Sequence, residues 1–418
     1  MLTSVFAYKV KHFDNGLTLI YKKYNDSNVV AVDFWVKTGS LYENNENNGA
    51  SHFMEHMFFK GTKKRPGNIA DYIKALGATY NGATSQDYVH YFIEAPKDKL
   101  AESIDILTDM LANVDLTEKK FNEEKGVILS ELATRKSEPF TNLFDSFGEV
   151  IFDPTYPYSR PIGGDYDVVK QMTLDDLKYF YKHFYTKDRI TVVVAGNFDE
   201  ESLVSLTKEK TANINEAGEK VEFDFNPPAP ISKPKIVKKE MHTGGIAYSK
   251  IGWIGTDALS DDFPALLMLG YVLSGGESSR LDQEIVTTGL ASSIMLDFSA
   301  SKLINDFGFV YVTSPDNVDK VKDIILSEVK KISNGDITNE ELERMKILYE
   351  SSFEMSKERP ISLASTLGFY NTVANLDLYD NIIKRIRRIE VDDIVRVCRK
   401  YLGSNNYAFL TILPEDSK

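Results

Sequence analysis

His52 and His56 stand four residues apart in the mostly apolar stretch Gly49–Gly61, with Glu55 between them. A helix over this stretch projects both imidazoles from one face, where they can share a single metal ion. Glu55, three residues from His52, lies beside that face, near enough to take a proton from a water in the site. Two imidazoles leave a tetrahedral zinc short of one protein ligand and one open position. A third ligand must therefore come from elsewhere in the chain. Only six histidines occur in 418 residues, so two of them at helical spacing around a carboxylate mark this stretch out. Asn47 or Asn48 is expected to cap the helix start, and Gly61 to follow its end in the left-handed region.

The elements that must complete such a site can be read further along. Glu118–Leu132 has helical periodicity and carries Glu124 and Glu131 seven residues apart, two turns along one face. Val127 and Ile128 lie between them, so that face is expected to be buried, and a buried carboxylate needs a partner or a metal. Spacing alone leaves the choice between Glu124 and Glu131 open. Upstream, Val10–Lys23 reads as a hairpin turning at Asn15-Gly16, and Val29–Val36 as a strand covered on both faces. Asn81-Gly82-Ala83-Thr84-Ser85 leads into a strand over Tyr88–Ile93; Asp87 is a candidate to orient a ligand histidine, and His90 reads as structural. Thr173 is placed to cap another helix, and Ile190–Ala195 reads as a buried strand.

At 418 residues the chain exceeds one hydrophobic core and fits two domains. Its 42% hydrophobic and 27% charged content is globular, and no apolar run reaches the length of a membrane span, so no membrane partner is expected. Met1–Phe6 lacks a charged segment followed by an apolar core, so a cytoplasmic location without a leader is expected. One cysteine, Cys398, excludes an intrachain disulfide. A net charge of −13 argues against nucleic-acid binding.

After Leu206 the texture changes. Thr211–Glu240 collects Pro227, Pro228, Pro230 and Pro234 among many charges, which is linker composition. The earlier pattern then restarts: Trp253 follows Trp35 at 253 − 35 = 218, and Asp392 follows Asp175 at 392 − 175 = 217. Tyr407–Leu413 answers Ile190–Ala195 at a similar offset. The expected fold is α+β: two homologous domains, each a mixed, largely antiparallel sheet packed with helices. Their expected limits are 1–210 for the metal-binding domain, 211–240 for the linker and 241–418 for the second domain. The offset of 218 sets Gly270, Leu273 and Ser274 opposite His52, Glu55 and His56, so one metal per chain is expected, in the first half.

The order H-x-x-E-H is the inverzincin signature. With Asn15-Gly16-Leu17, Asn81–Ser85, Gly126–Glu131, Pro157–Ile162 and Gly275–Leu281, it gives the chain a resemblance to the pitrilysin-family zinc metallopeptidases over nearly its whole length. Within that family it is most like the catalytic subunits of processing peptidases and their small bacterial relatives. The resemblance implies Zn²⁺ held by His52, His56 and Glu131, since that family's third ligand lies about 75 residues beyond the second histidine and 131 − 56 = 75. It implies Glu55 as the catalytic base, Glu124 as a residue supporting the site, and Asn81, Gly82, Ala83 and Thr84 as a substrate-binding edge strand. Of the acidic pair that reads an arginine in processing peptidases, Thr141 and Asp145 occupy the matching positions, leaving Asp145 as the candidate. An arginine and a tyrosine that bind the substrate carbonyl in related enzymes are matched by Ile285 and Ser292, which lack those functions. The resemblance therefore implies a homologous partner chain without the zinc motif, with a homodimer as the alternative. The rival reading is a non-catalytic scaffold or peptide-binding subunit of the same fold.

Overall fold

The computed structural model describes residues 7–218, 221, 223, 225–403 and 405–415. The Met1–Phe6 stretch read for a leader lies outside them. The first sheet has six strands: β1 (Lys9–His12), β2 (Thr18–Lys23), β3 (Val29–Val36), β4 (Thr79–Thr84), β5 (Val89–Pro96) and β6 (Ile190–Gly196). Their order is β1-β2-β6-β3-β5-β4. The second sheet comprises β7 (Lys235–Met241), β8 (Ala247–Ile254), β9 (Ala291–Asp297), β10 (Asp306–Thr313) and β11 (Tyr407–Pro414), ordered β7-β11-β8-β10-β9.

Strand composition explains strand position. β3 reads VVAVDFWV and is buried from Val30 onward, and every residue of β6 is buried, as befits central strands with both faces covered. β7 reads KIVKKEM and lies at an edge, where lysines protect exposed main chain. The expected linker therefore surrenders its last residues to a sheet: β7 pairs in parallel with β11 from Lys235 to Met241.

The two sheets repeat one plan. β2–β6 and β7–β11 are parallel pairs, and the remaining neighbours are antiparallel. Trp35 stands opposite His90 and Thr191, and Trp253 opposite Phe307 and Tyr407. Those pairs differ by 253 − 35 = 218, 307 − 90 = 217 and 407 − 191 = 216, so the repeat holds through register as well as sequence.

The covering helices cross the expected boundaries. Pro139–Ile151 packs on β7, β8 and β11, whereas Pro360–Val373 packs on β2, β3 and β6. One compact unit comprises Met1–Leu132, Ile162–Asp224 and Glu354–Leu376; the other comprises Ala133–Pro161, Phe225–Phe353 and Asp377–Lys418. A division at 210 and 241 misses this, because each sheet takes one cover from the opposite half of the sequence. The fit in the first unit is close: a Cβ on Gly368 would stand 2.1 Å from Trp35 Nε1. Ser365 adds a hydrogen bond to the buried Asp33, which also binds His90 Nδ1 at 3.0 Å. His90, stacked on Trp35, is thus structural, as its sequence position suggested. No helix among the described residues is long and apolar enough to cross a membrane.

Candidate metal centre

The motif helix runs Ala50–Phe59 and buries Phe53, Met54, Met57 and Phe58 completely. Four such side chains contribute roughly 1.5–3 kcal/mol each, which anchors the helix from one side. The second contributing helix, Glu118–Ser137, meets it through Phe121, whose ring stacks on Phe53 at 4.9 Å and 5°. Neither Asn47 nor Asn48 is the cap residue. Gly49 takes that place with φ +103 and has no side chain with which to cap. The orphan N–H groups are satisfied from upstream: Glu43 accepts from Gly49 N at 2.8 Å and from Ser51 N at 2.7 Å. Complete burial pushes the Glu43 carboxyl above its ordinary range, opposed by these same hydrogen bonds.

His52, His56 and Glu131 converge. One ligand atom from each lies within 4.8 Å of the others. His52 Nε2 is 3.6 Å from Glu131 Oε1, and His56 Nε2 is 3.3 Å from Glu131 Oε2. Zinc ligands at 2.0–2.2 Å and tetrahedral angles stand roughly 3.3–3.5 Å apart, so these spacings suit that ion. The tautomers suit it too. His56 Nδ1 faces Glu124 Oε1 at 2.8 Å, and His52 Nδ1 faces the Gly163 carbonyl at 3.3 Å. With both Nδ1 atoms donating, an ion that displaces the proton from Nε2 would meet both Nε2 lone pairs, the arrangement typical of metal-binding histidines. The residues present fit a divalent cation, and no other group of three such side chains occurs among the described residues.

Electrostatics follow from this crowding. Burial works against a charge on His56, yet hydrogen bonds to Glu124 and Glu131 outweigh it and push its pKa up to about 9. His52 goes the other way: burial and the neighbouring His56 lower it. Burial also opposes the ionised Glu124, but hydrogen bonds from His56 and Lys60 hold its carboxyl below the usual range. Lys60 Nζ lies 2.5 Å from Glu124 Oε2.

Glu55 stands outside the cluster and accepts a hydrogen bond from Thr84 Oγ1 at 2.6 Å. Thr84 ends β4, an edge strand paired only with β5, so Asn81, Gly82, Ala83 and Thr84 lie along an unpaired strand edge. A Cβ on Gly82 would reach within 3.3 Å of Glu55 Cγ and 3.0 Å of the Phe59 ring, so glycine lets this strand close on the motif helix.

Two candidate residues, Asp87 and Asp145, stand apart from the cluster. Asp87 is buried but orients neither ligand histidine, because all four ring nitrogens already face Gly163, Glu124 or Glu131. Asp145 belongs to the other compact unit and is held by Arg135 through bonds of 2.8 and 3.2 Å, so its charge already has an arginine. Ile285 is fully buried, and Ser292 donates to the Val312 carbonyl of its own sheet. Sequence reasoning missed Glu43, Lys60 and Gly163. The one available signal was Glu43, an acid following an apolar Leu41-Tyr42 pair just upstream of the motif helix.

Comparison with known proteins places this geometry. Residues 18–153 match the Insulinase (Peptidase family M16) family, and residues 171–349 match the Peptidase M16 inactive domain. The uncharacterised zinc protease YmxG of Bacillus subtilis is 27% identical over 420 residues, covering 96% of this chain and 97% of that protein. The mitochondrial-processing peptidase subunit beta of Dictyostelium discoideum is 26% identical, covering 97% and 88%. Among solved structures, a protease from Helicobacter pylori superposes with a TM-score of 0.92 at 23% identity, covering 98% of this chain and 99% of that one. The metal cluster falls within the first matched segment, and the repeated sheet without its ligands within or beyond the second. A paired fold, one half bearing the cluster and the other matching the inactive domain, makes this chain a member of the M16 peptidase family.

Proposed function

We propose that the chain is a zinc-dependent endopeptidase that cleaves extended or unfolded peptide segments. The observation that carries this reading is the convergence of His52 Nε2, His56 Nε2 and Glu131 on one point, with Glu55 beside them and outside the donor set. Those three residues would hold the ion. When bound, Zn²⁺ would act as a Lewis acid toward the peptide carbonyl and lower the pKa of water in the site. Glu55 takes the proton from the attacking water and passes it to the leaving amine. Thr84 fixes the orientation of Glu55 through the 2.6 Å hydrogen bond. A substrate in extended conformation adds to the free edge of β4 through main-chain hydrogen bonds, which gives affinity without reading side chains. Glu124 and Gly163 keep both imidazoles in the tautomer that presents Nε2.

Ile285 and Ser292 offer no donor to an oxyanion, which supports a catalytic subunit acting with a homologous partner chain that supplies the missing groups. The test uses the wild-type chain and Glu55→Gln, each alone and with the candidate partner, on an unstructured peptide with cleavage read by mass spectrometry. Glu55→Gln should retain zinc and lose at least a hundredfold in turnover. A fully active Glu55→Gln removes Glu55 from the mechanism, and undiminished activity of the wild-type chain alone removes the partner. A chain that binds zinc tightly but turns nothing over in either setting is instead a peptide-binding subunit of this fold.

A further inference from the structure

We infer that Glu43 and Asn48 together are positioning residues for His52, fixing its backbone and its ring from opposite ends; this rests on the zinc-peptidase reading above. Glu43 is 3% exposed, and both of its carboxylate oxygens are engaged. Oε1 accepts from Ser51 N at 2.7 Å, while Oε2 accepts from Gly49 N at 2.8 Å and from Asn48 Nδ2 at 2.9 Å. The Ser51 amide immediately precedes His52, so Glu43 sets where the His52 backbone begins. Asn48 then uses its other side-chain atom: Oδ1 accepts from Asp165 N at 2.8 Å. Two residues before Asp165, the Gly163 carbonyl faces His52 Nδ1 at 3.3 Å. One amide side chain thus ties the start of the ligand helix to the loop that orients the ligand's ring.

The backbone around this tie leaves little slack. Gly49 and Gly164 both have positive φ, +103 and +99, and a Cβ on Gly164 would stand 2.5 Å from Gly49 Cα. A simple helix cap needs only one side-chain oxygen at the cap position. Here glycine at that position allows the loop to close in, and the capping task moves to an acid that also holds Asn48. The three donors facing Glu43 explain why a side chain with two acceptor oxygens stands there: an amide would turn an N–H₂ toward an N–H.

Glu43→Gln and Asn48→Ala test the role, with zinc affinity measured by chelator competition and the cobalt-substituted absorption spectrum recorded alongside. Supporting residues of this kind change metal affinity by 10–100-fold. Both variants should bind zinc at least about tenfold more weakly than wild type and show a shifted cobalt spectrum. The ¹⁵N shifts of His52 should report loss of a fixed tautomer. Unchanged affinity and spectrum, even with a lower melting temperature, would reduce the pair to an ordinary helix cap and overturn the inference. Should Glu43→Gln fail to fold, Asn48→Ala decides, since it leaves both backbone bonds of Glu43 in place. A wild-type chain that binds no zinc fails the peptidase reading itself, an outcome distinct from tight wild-type binding with unaffected variants.

Discussion

Glu124 and Glu131 meet opposite nitrogens of one ring. Glu131 faces His56 Nε2 and Glu124 faces His56 Nδ1, so in the metal-free chain the imidazole is flanked by two carboxylates. Burial opposes the resulting charge, but the two hydrogen bonds prevail and the pKa rises to about 9. A folded-state pKa raised above the ordinary 6.5 contributes stability that is fully present below that value and is lost as pH climbs through about 9. The chelator-treated chain should therefore melt at progressively lower temperature between pH 6.5 and 9. Saturating zinc should flatten that dependence, because the ion displaces the proton; melting curves with and without chelator check both. At this scale the sequence was legible where geometry is local. His52 and His56 could be named because helical spacing alone turns residues four apart to one face, whereas spacing left Glu124 and Glu131 both open and only the family resemblance chose Glu131. Of the two Nδ1 partners, Glu124 was named only through that resemblance, and Gly163, a backbone carbonyl 111 residues from His52, could not be named because it comes into place only through the fold.

Helices and strands show a second limit of periodic pattern. It identifies which face of an element is apolar but not which sheet that face will cover. The helix Pro360–Val373 lies in sequence between strands of the second sheet and covers the first instead. β7 hid within linker composition because an edge strand has reason to be charged. Gly368 gives this scale its test. In an exposed helix, glycine to alanine stabilises by roughly 0.5–1 kcal/mol. At Gly368 the added Cβ would collide with Trp35 Nε1 at 2.1 Å, and Trp35 is itself 2% exposed beneath the helix. Gly368→Ala should reverse the usual sign and destabilise by about 1–3 kcal/mol or more. Denaturant titration of the two proteins checks this, and a neutral or stabilising result would show that the helix can rise off β3 without loss.

In the molecule taken whole, duplication was legible and its execution was not. Matching offsets revealed two copies of one sheet, and the registers of Trp35 and Trp253 agree with them. The exchange of covering helices left no mark in the pattern, because equivalent helices occupy equivalent places in both copies. It has a direct test. Residues 1–218 carry all six strands of the first sheet and every member of the metal cluster, yet lack its cover on β3 and β6. Expressed alone, that fragment should be insoluble or fail to bind zinc, and co-expression with 225–418 should restore soluble, zinc-binding protein. A fragment 1–218 that folds and binds zinc by itself would mean the exchanged helix is dispensable. The same exchange dictates a timetable on the ribosome. The last strand of the first sheet has been translated by Gly196, but its lid is not made until Val373. At 5–20 residues per second the interval is on the order of ten to thirty seconds. Through that interval the face of the sheet that Pro360–Val373 will cover waits exposed in the nascent chain, a natural client for whatever chaperone meets it there.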